Sequence, residues 1–394
     1  MADKSQAAQT LQQRIASLSP AQQQLFRKQL EAKGIPWEQA IAASTEKTTA
    51  PKKKAPTRPE QLPLSASQKH LLVLHQLYPE TTAYHISLVL SMRGALAIPV
   101  LKQSLQAIVA RHESLRTVFL QGDNQPYAKV LPSLELDFQT VDLTAVPPSE
   151  KTEEKAISAA SKHHRELLSQ QPFDLEKGPL IRARLLRLED NNFELILVLH
   201  HLIADGWSRG ILLRELASNY RHYLQQEALQ GKTEQPLAPL LTPLKFQYAD
   251  YVLQQQQWLQ GNDYQQQRAY WQEQLSGLPE LTLLTDGTAG TDFTSQICTQ
   301  SFSQDQTLAI KALAKQSGAT VFMLLLSIFK LLLQRYSAQR DIAVGIPVAG
   351  RNTSAVEEVI GFFVNTLVLR SQIDLNHKFP DWLKQVQATL ADAL

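Results

Sequence analysis

Cysteine is almost missing from this chain: Cys298 is the only one in 394 residues. That excludes an internal disulfide and a cysteine-rich zinc site, and it fits a reducing compartment. A charge imbalance is missing too. Lys and Arg number 39 against 37 Asp and Glu, a formal net charge of +2, so no global field favours nucleic acid or a membrane surface. The basic cluster Lys52-Lys53-Lys54 with Arg58 lies in a Pro- and Thr-rich stretch and reads as solvated linker. No apolar run is long enough to span a bilayer; Val321 to Leu333 comes nearest and contains Ser327 and Lys330. The N-terminus, with Asp3, Lys4 and several Gln, lacks a signal-peptide core. These absences predict a soluble cytoplasmic protein with no nucleic-acid or membrane partner. What remains, 43% hydrophobic and 19% charged residues, fits a globular chain with a real core, long enough for two or three domains.

Residues 1–45 read as a helical docking or linker segment. Leu11, Ile15 and Leu18 form one stripe; Ser19-Pro20 starts a second helix carrying Leu25, Phe26 and Leu30, and Gly34 stops it. A hairpin this small buries little surface alone and is expected to dock on something else. Residues 46–61 read as a flexible linker. From Leu62 onward the segments alternate in type. Helices are expected at Ser65–Gln76, Ile98–Glu113 (Leu101, Leu105, Ile108 and Val109 inward) and Lys155–Ser169. Strands are expected at Ile86–Arg93, Leu115–Phe119 and Tyr127–Val130, with Ile181–Leu188 and Phe193–His200 forming a hairpin around Glu189–Asn192. A Gln- and Pro-rich connection runs from Gln225 to about Lys245. Beyond it come a helix from Phe246 through Trp271, a strand near Cys298–Phe302, helices at Gln304–Ser317 and Val321–Tyr336, and strands at Ile342–Ile346 and Leu367–Ile373. The fold class is therefore α/β with mixed sheets, divided into halves at 62–236 and 237–394. The Gln254–Gln257 run reads as an exposed helix face.

The chemistry concentrates at Leu199-His200-His201-Leu202-Ile203-Ala204-Asp205-Gly206-Trp207-Ser208. An unbroken apolar strand, buried on both faces, runs into two histidines; a helix with Leu212, Leu213, Leu216, Tyr220 and Tyr223 at helical spacing follows. Histidine is the side chain best suited to accept and return a proton near neutral pH, and an amine nucleophile needs little help to lose one. Adjacent residues on extended backbone point to opposite sides, so one histidine faces ligand space and the other packs. Asp205 can fold back beneath, where a buried carboxylate needs a cation or several donors. Gly206 lets the backbone approach a substrate, and its N–H can help stabilise an oxyanion. Taken singly, a His-His pair is commonly structural and Asp-Gly commonly a turn. The ordered set is far more specific. A metal site is weakly supported, because no third ligand stands at a recognisable spacing.

With its flanking motifs, the sequence from about Leu62 to the end resembles the condensation domains of non-ribosomal peptide synthetases. These belong to a wider group of His-His-x-x-x-Asp-Gly acyltransferases that includes chloramphenicol acetyltransferase. The matching segments are Arg111–Phe119, Phe173–Leu180 with Arg182, Leu199–Ser208, Tyr248–Tyr251, Gly345–Arg351 and Ile360–Thr366. The resemblance implies a pseudo-dimer of two acetyltransferase-like halves in a V, with a tunnel admitting two carrier-protein arms. It implies amide formation between a donor aminoacyl or peptidyl thioester and the α-amine of an acceptor aminoacyl thioester. No intrinsic cofactor is implied; both substrates ride on phosphopantetheine arms. The implied partners are upstream donor and downstream acceptor carrier proteins and an adjacent adenylation domain. His201 takes the catalytic role, as base or as orienter of the amine. His200 and Gly206 stand beside it, and Asp205 pairs with an arginine, Arg351 first and Arg116 second. Asn365 lines the channel, and Trp207 and Ser208 join as structural or channel residues.

Some positions depart from the family pattern: Ser67, His70 and Leu72 stand where Ala, Arg and an aromatic are usual. A His-Gln-Asp-x-Pro-Phe-Glu-like segment that normally follows is missing before Leu394, so the second half is expected to be unfinished. The Asp-Gly-Trp-Ser-Arg-Gly-Ile-Leu run favours peptide-bond formation over epimerisation, and the His-His pair disfavours heterocyclisation. Two other readings stay open: a degenerate domain that only recruits a partner, and a stand-alone acyltransferase using a coenzyme A thioester.

Overall fold

A computed structural model describes residues 58–144, 153–229, 241–284 and 298–394. The chain divides between Pro59 and Glu60, and the unit from Glu60 to Leu394 carries every described helix and strand. The helices expected within residues 7–33, and the 46–57 part of the expected linker, lie outside the described residues. Residues 60–62 belong to the compact unit, since Leu62 exchanges both backbone hydrogen bonds with Ala128.

The unit is mixed α/β. Helix α1 (Ala66–Leu77) starts at a capping box between Ser65 and Gln68. It is followed by β1 (His85–Arg93), α2 (Ile98–Arg111), a 3₁₀ turn (Glu113–Arg116), β2 (Thr117–Leu120), β3 (Tyr127–Val130), β4 (Asp137–Asp142), α3 (Glu153–Gln170), β5 (Ile181–Glu189), β6 (Asn192–His200) and α4 (Gly206–Leu229). The main sheet has the order β1-β6-β5-β4. β5 and β6 form the expected hairpin, with Glu189 opposite Asn192. β4 pairs in parallel with β5, an arrangement that needs a crossover, and α3 supplies it. β6 is central, flanked by two antiparallel neighbours. Its run lacks polar alternation because both faces are covered. Leu195, Ile196, Leu197 and Val198 are all 0% exposed, each contributing about 1.5–3 kcal/mol of burial. On one face Ser161 and Arg165 of α3 hold the buried Glu194 carboxylate. Helices α2 and α4 pack on each other, and Tyr220 of α4 accepts from the Ala97 N–H at the start of α2.

The second set of elements comprises α5 (Tyr248–Trp258), α6 (Asn262–Gln274), α7 (Gln304–Gln316), α8 (Val321–Ser337), β7 (Asp341–Val348), β8 (Asn365–Gln372) and α9 (Phe379–Ala393). β7 and β8 form an antiparallel ladder, packed through Ile342, Ile346 and Leu369 against Leu326 of α8 and Trp382 and Val386 of α9. Lys330 of α8 is fully buried and donates to Leu369 O and Ser371 Oγ of β8; burial pulls its ammonium down to about 8.

Four local expectations need correction. Residues 298–302 form no strand. The helix expected over Phe246–Trp271 is two helices, broken after Trp258, with Gly261 capping the second. The strand expected at Leu115 begins at Thr117, because Glu113–Arg116 coil into a tight turn closed by Thr117 Oγ1 on Glu113 O. In the glutamine run, Gln254 and Gln257 are exposed, whereas Gln255 bonds Ala66 N–H and Gln256 bonds Leu64 O, tying α5 to the start of α1. No single described helix is long and apolar enough to cross a membrane.

Candidate active site

The His-His turn is held as a continuation of the sheet. The His200 N–H donates to Leu180 O on one side, and the His201 N–H donates to Tyr84 O on the other. The two rings therefore leave the strand end in opposite senses. His200 is 1% exposed and sits among the rings of His75, His85 and Phe173, at 5.8, 5.9 and 6.1 Å. Its Nδ1 accepts the Leu202 N–H at 3.1 Å. Burial, reinforced by the neighbouring imidazoles of His85, His75 and His201, drives its pKa down to about 3, so it stays neutral.

His201 is half-buried, with its ring edge-on to Phe362 at 5.0 Å. Burial lowers its pKa, and the Asp205 carboxylate and nearby backbone oppose that in part. The imidazole is thus neutral at physiological pH. Nδ1 is sealed from solvent, which leaves Nε2 as the open ring nitrogen. The chain supplies what a proton acceptor needs: a neutral ring, one accessible nitrogen and a rigid mount.

Asp205 is 0% exposed. Its Oδ1 accepts from the Ser208 N–H at 2.8 Å, the bond expected of a residue capping α4, and from the Ser208 hydroxyl at 2.7 Å. Arg351 Nη2 donates to both carboxylate oxygens, at 3.1 and 3.2 Å, and the Phe363 N–H donates to Oδ2 at 3.2 Å. Arg351 in turn donates to Val356 O and Val359 O and lies over the Phe363 ring at 4.1 Å. Burial lowers the Arg351 pKa and Asp205 opposes the shift. The other arginine candidate, Arg116, bonds Leu131 O instead and makes no bond to Asp205.

The remaining candidates are spread around this clasp. Ser208 belongs to it, for its Oγ also accepts the Gly361 N–H at 3.2 Å. Trp207 is 50% exposed and donates from Nε1 to Glu357 O at 3.1 Å, with its ring 5.8 Å from the Arg351 guanidinium carbon. Gly206 stands exposed at the start of α4, and a Cβ there would meet nothing within 4 Å. The fold itself therefore tolerates a side chain, and what the glycine leaves is open space before the helix. Asn365, exposed at the start of β8, shares the wall of a cavity of about 790 Å³ with Arg351, Tyr270 and Trp271. Neither His200 nor His201 lines that cavity. Among the described residues no group of three or more His, Cys, Asp or Glu could hold a metal ion.

Several residues at the site were visible only as letters within motifs. Phe362 packs on His201. Tyr248 donates from its hydroxyl to Phe362 O at 2.7 Å, Gln68 donates to Leu202 O at 3.0 Å, and Ser67 donates to Val364 O at 3.0 Å. Ser67 departs from the family's usual alanine, and its hydroxyl is what reaches Val364. Their motifs could have flagged them, but contacts across more than 100 residues could not be read from the string.

The condensation-domain family model matches residues 59–394. The chain belongs to the condensation-domain family. One of the linear gramicidin synthase subunits of Brevibacillus parabrevis is 40% identical to this condensation domain over 331 residues, which cover 83% of this chain and 4% of that one. Among solved structures, the first condensation domain of the calcium-dependent antibiotic synthetase superposes with a TM-score of 0.69 at 21% identity, covering 84% of this chain and 74% of that one. The X-domain from teicoplanin biosynthesis superposes with a TM-score of 0.72 at 25% identity, covering 86% and 71%. The condensation domain thus spans a small fraction of the gramicidin synthase chain it matches and most of each solved domain.

Proposed function

We propose that this condensation domain forms an amide bond between a donor aminoacyl or peptidyl thioester and the α-amine of an acceptor aminoacyl thioester. The partners in this reading are an upstream and a downstream carrier protein, each presenting its substrate on a phosphopantetheine arm, within a synthetase that also holds an adenylation domain. The amine nitrogen attacks the donor carbonyl carbon, the C–S bond breaks, and the amine proton leaves as the donor thiol is released. His201 Nε2 accepts or orients that proton. The developing oxyanion is placed at the exposed first turn of α4, where Gly206 leaves room and a helix start offers N–H groups. His200 serves as a neutral packing base for the turn, and Asp205 with Arg351 as its mount.

The observation that carries this reading is the asymmetry of the histidine pair: the His200 ring is sealed, whereas the His201 ring is half-buried and open at Nε2, and burial lowers the pKa of both. A second reading, a partner-recruiting module, is favoured by one similarity. The X-domain of teicoplanin biosynthesis was solved in complex with OxyB, so the same fold can serve as a docking platform. The test is acyl transfer between defined carrier-loaded donor and acceptor, read by intact mass of the acceptor carrier. Amide product is the expected result. No product with carriers, but turnover of a coenzyme A thioester, sinks the proposal. His201→Ala is expected to lose about 10²–10⁴-fold in rate with its melting temperature nearly unchanged. A variant that keeps its rate would remove His201 from the chemistry.

A further inference from the structure

The segment linking β7 to β8 crosses the Asp205 clasp as a strap, residues 356–364, and side chains of the earlier elements hold its backbone almost residue by residue. Ser208 accepts the Gly361 N–H, Asp205 takes the Phe363 N–H, Tyr248 donates to Phe362 O, and Ser67 donates to Val364 O. Ile360 is gripped at both backbone groups from the turn after α2. The Ser114 hydroxyl donates to Ile360 O at 2.7 Å, and the Ile360 N–H donates to His112 Nδ1 at 3.2 Å.

This last bond determines the state of a fully buried imidazole. His112 is 0% exposed. Its Nδ1 can accept from Ile360 only if it carries no proton, so the single imidazole proton resides on Nε2. Nε2 faces Glu215 Oε2 of α4 at 3.0 Å. The other Glu215 oxygen accepts from Arg111 Nε at 2.9 Å, and Arg111 also donates to Thr242 O. The facing charged groups are therefore Glu215 from α4 and Arg111 from α2, and both are engaged. The result is a one-way chain of donors: Ile360 N–H into His112, His112 N–H into Glu215, with Arg111 closing the carboxylate.

We infer that His112 is a positioning residue for the reaction: in its Nε2–H form it sets where the strap sits, and so where Phe362 packs against the His201 ring two residues further on. The relay through Glu215 serves to hold that tautomer. Displacement of Phe362 would let the open imidazole rotate away from the amine, and misplacement on the ångström scale costs a catalytic group heavily. The activity part of this inference rests on the amide-forming reading above; the tautomer and the strap contact do not.

The experiment uses the whole chain. ¹⁵N-imidazole NMR of the wild type is expected to show His112 bare at Nδ1 and protonated at Nε2, and hydrogen exchange to show a protected Ile360 amide. Two conservative variants then separate the bonds. His112→Asn places Oδ1 where the ring carries Nδ1 and keeps the acceptor for Ile360. His112→Gln reaches the Nε2 position and keeps only the donor for Glu215. His112→Asn is expected to retain most of kcat. His112→Gln is expected to lose about 10- to 100-fold in kcat, with KM for the loaded carriers little changed and the Ile360 amide deprotected. A proton on Nδ1, a wild-type Ile360 amide exchanging as fast as that of His112→Gln, or equal kcat losses in both variants overturns the inference. Absence of amide product from the wild type refutes the functional reading instead, and the two spectroscopic measurements still decide the strap.

Discussion

The ion pair beneath the histidine turn can be dissected by three variants: Arg351→Met, Asp205→Asn and the double substitution. Asp205 and Arg351 expose 0% and 2% of their side chains. Two opposite charges at such range attract by about 4 kcal/mol at an effective dielectric of 20. Arg351→Met keeps most of the stem and removes the charge. The Asp205 carboxylate then stays buried with three remaining donors, the Ser208 N–H, the Ser208 hydroxyl and the Phe363 N–H, but no counter-charge. Orphaning a buried charge costs about 3–5 kcal/mol. Asp205→Asn keeps an oxygen for the α4 cap but removes the guanidinium's counter-charge, leaving it Val356 O, Val359 O, Ser208 Oγ and the Phe363 face. Its cost should be similar or somewhat smaller. The double variant leaves no uncompensated charge, so its loss should fall short of the sum by about 1–3 kcal/mol. Urea unfolding near neutral pH, at low temperature so that weakened variants stay folded, measures all three. Singles within about 1 kcal/mol of wild type would contradict a buried clasp, since a loss of that size is usual for any substitution. Strict additivity would show that the two groups do not couple.

Three further outcomes are expected. The pH–rate profile for amide formation should keep its acid limb below 6.5, because burial lowers the His201 pKa and base function is lost only as pH falls through the folded value; a limb above 6.5 would contradict a desolvated base. His200 titrates at about 3 when folded against 6.5 in the open chain, so the unfolded state binds the extra proton in that window. The stability it confers is complete above 6.5 and is lost progressively as pH falls towards about 3, on the order of 5 kcal/mol in all. Urea midpoints should therefore fall steeply on acidification, less so in His200→Asn, whose amide oxygen can still accept from Leu202; equal slopes would remove His200 as the source. Gly361→Ala should destabilise by about 1–3 kcal/mol and lower the rate, because its Cβ would stand 2.2 Å from Tyr248 Cδ2; unchanged melting temperature and rate would show that the strap yields at no cost.

The local elements were legible where one signal dominated. Leu195–Leu199 announces a strand buried on both faces by its unbroken apolar run, and the Glu189–Asn192 turn announces its hairpin. Legibility failed where tertiary contacts overrode local preference. Leu115 and Arg116, expected as strand, coil instead with residues 113–114 into a 3₁₀ turn as His112 and Ser114 turn to hold Ile360. The glutamine run reads as solvated, yet two of its members tie α5 to the start of α1.

The sequence by itself determined most of the element order, though not β4 or the break between α5 and α6, together with the turn that carries His200 and His201 and the need for a partner to Asp205. Those follow from periodicity of 2 and 3.6, from the opposite sense of adjacent strand residues, and from the cost of a lone buried carboxylate. Periodicity left open which histidine is sealed, and only the resemblance pointed to His201 as the working one; in the fold His75, His85 and Phe173 arrive from other elements to enclose His200. Folding also chose Arg351 over Arg116, since the strap brings Arg351 to Asp205 while Arg116 is held at Leu131. Such choices depend on which distant side chains share one buried volume, and neither a pattern nor a propensity encodes that distance.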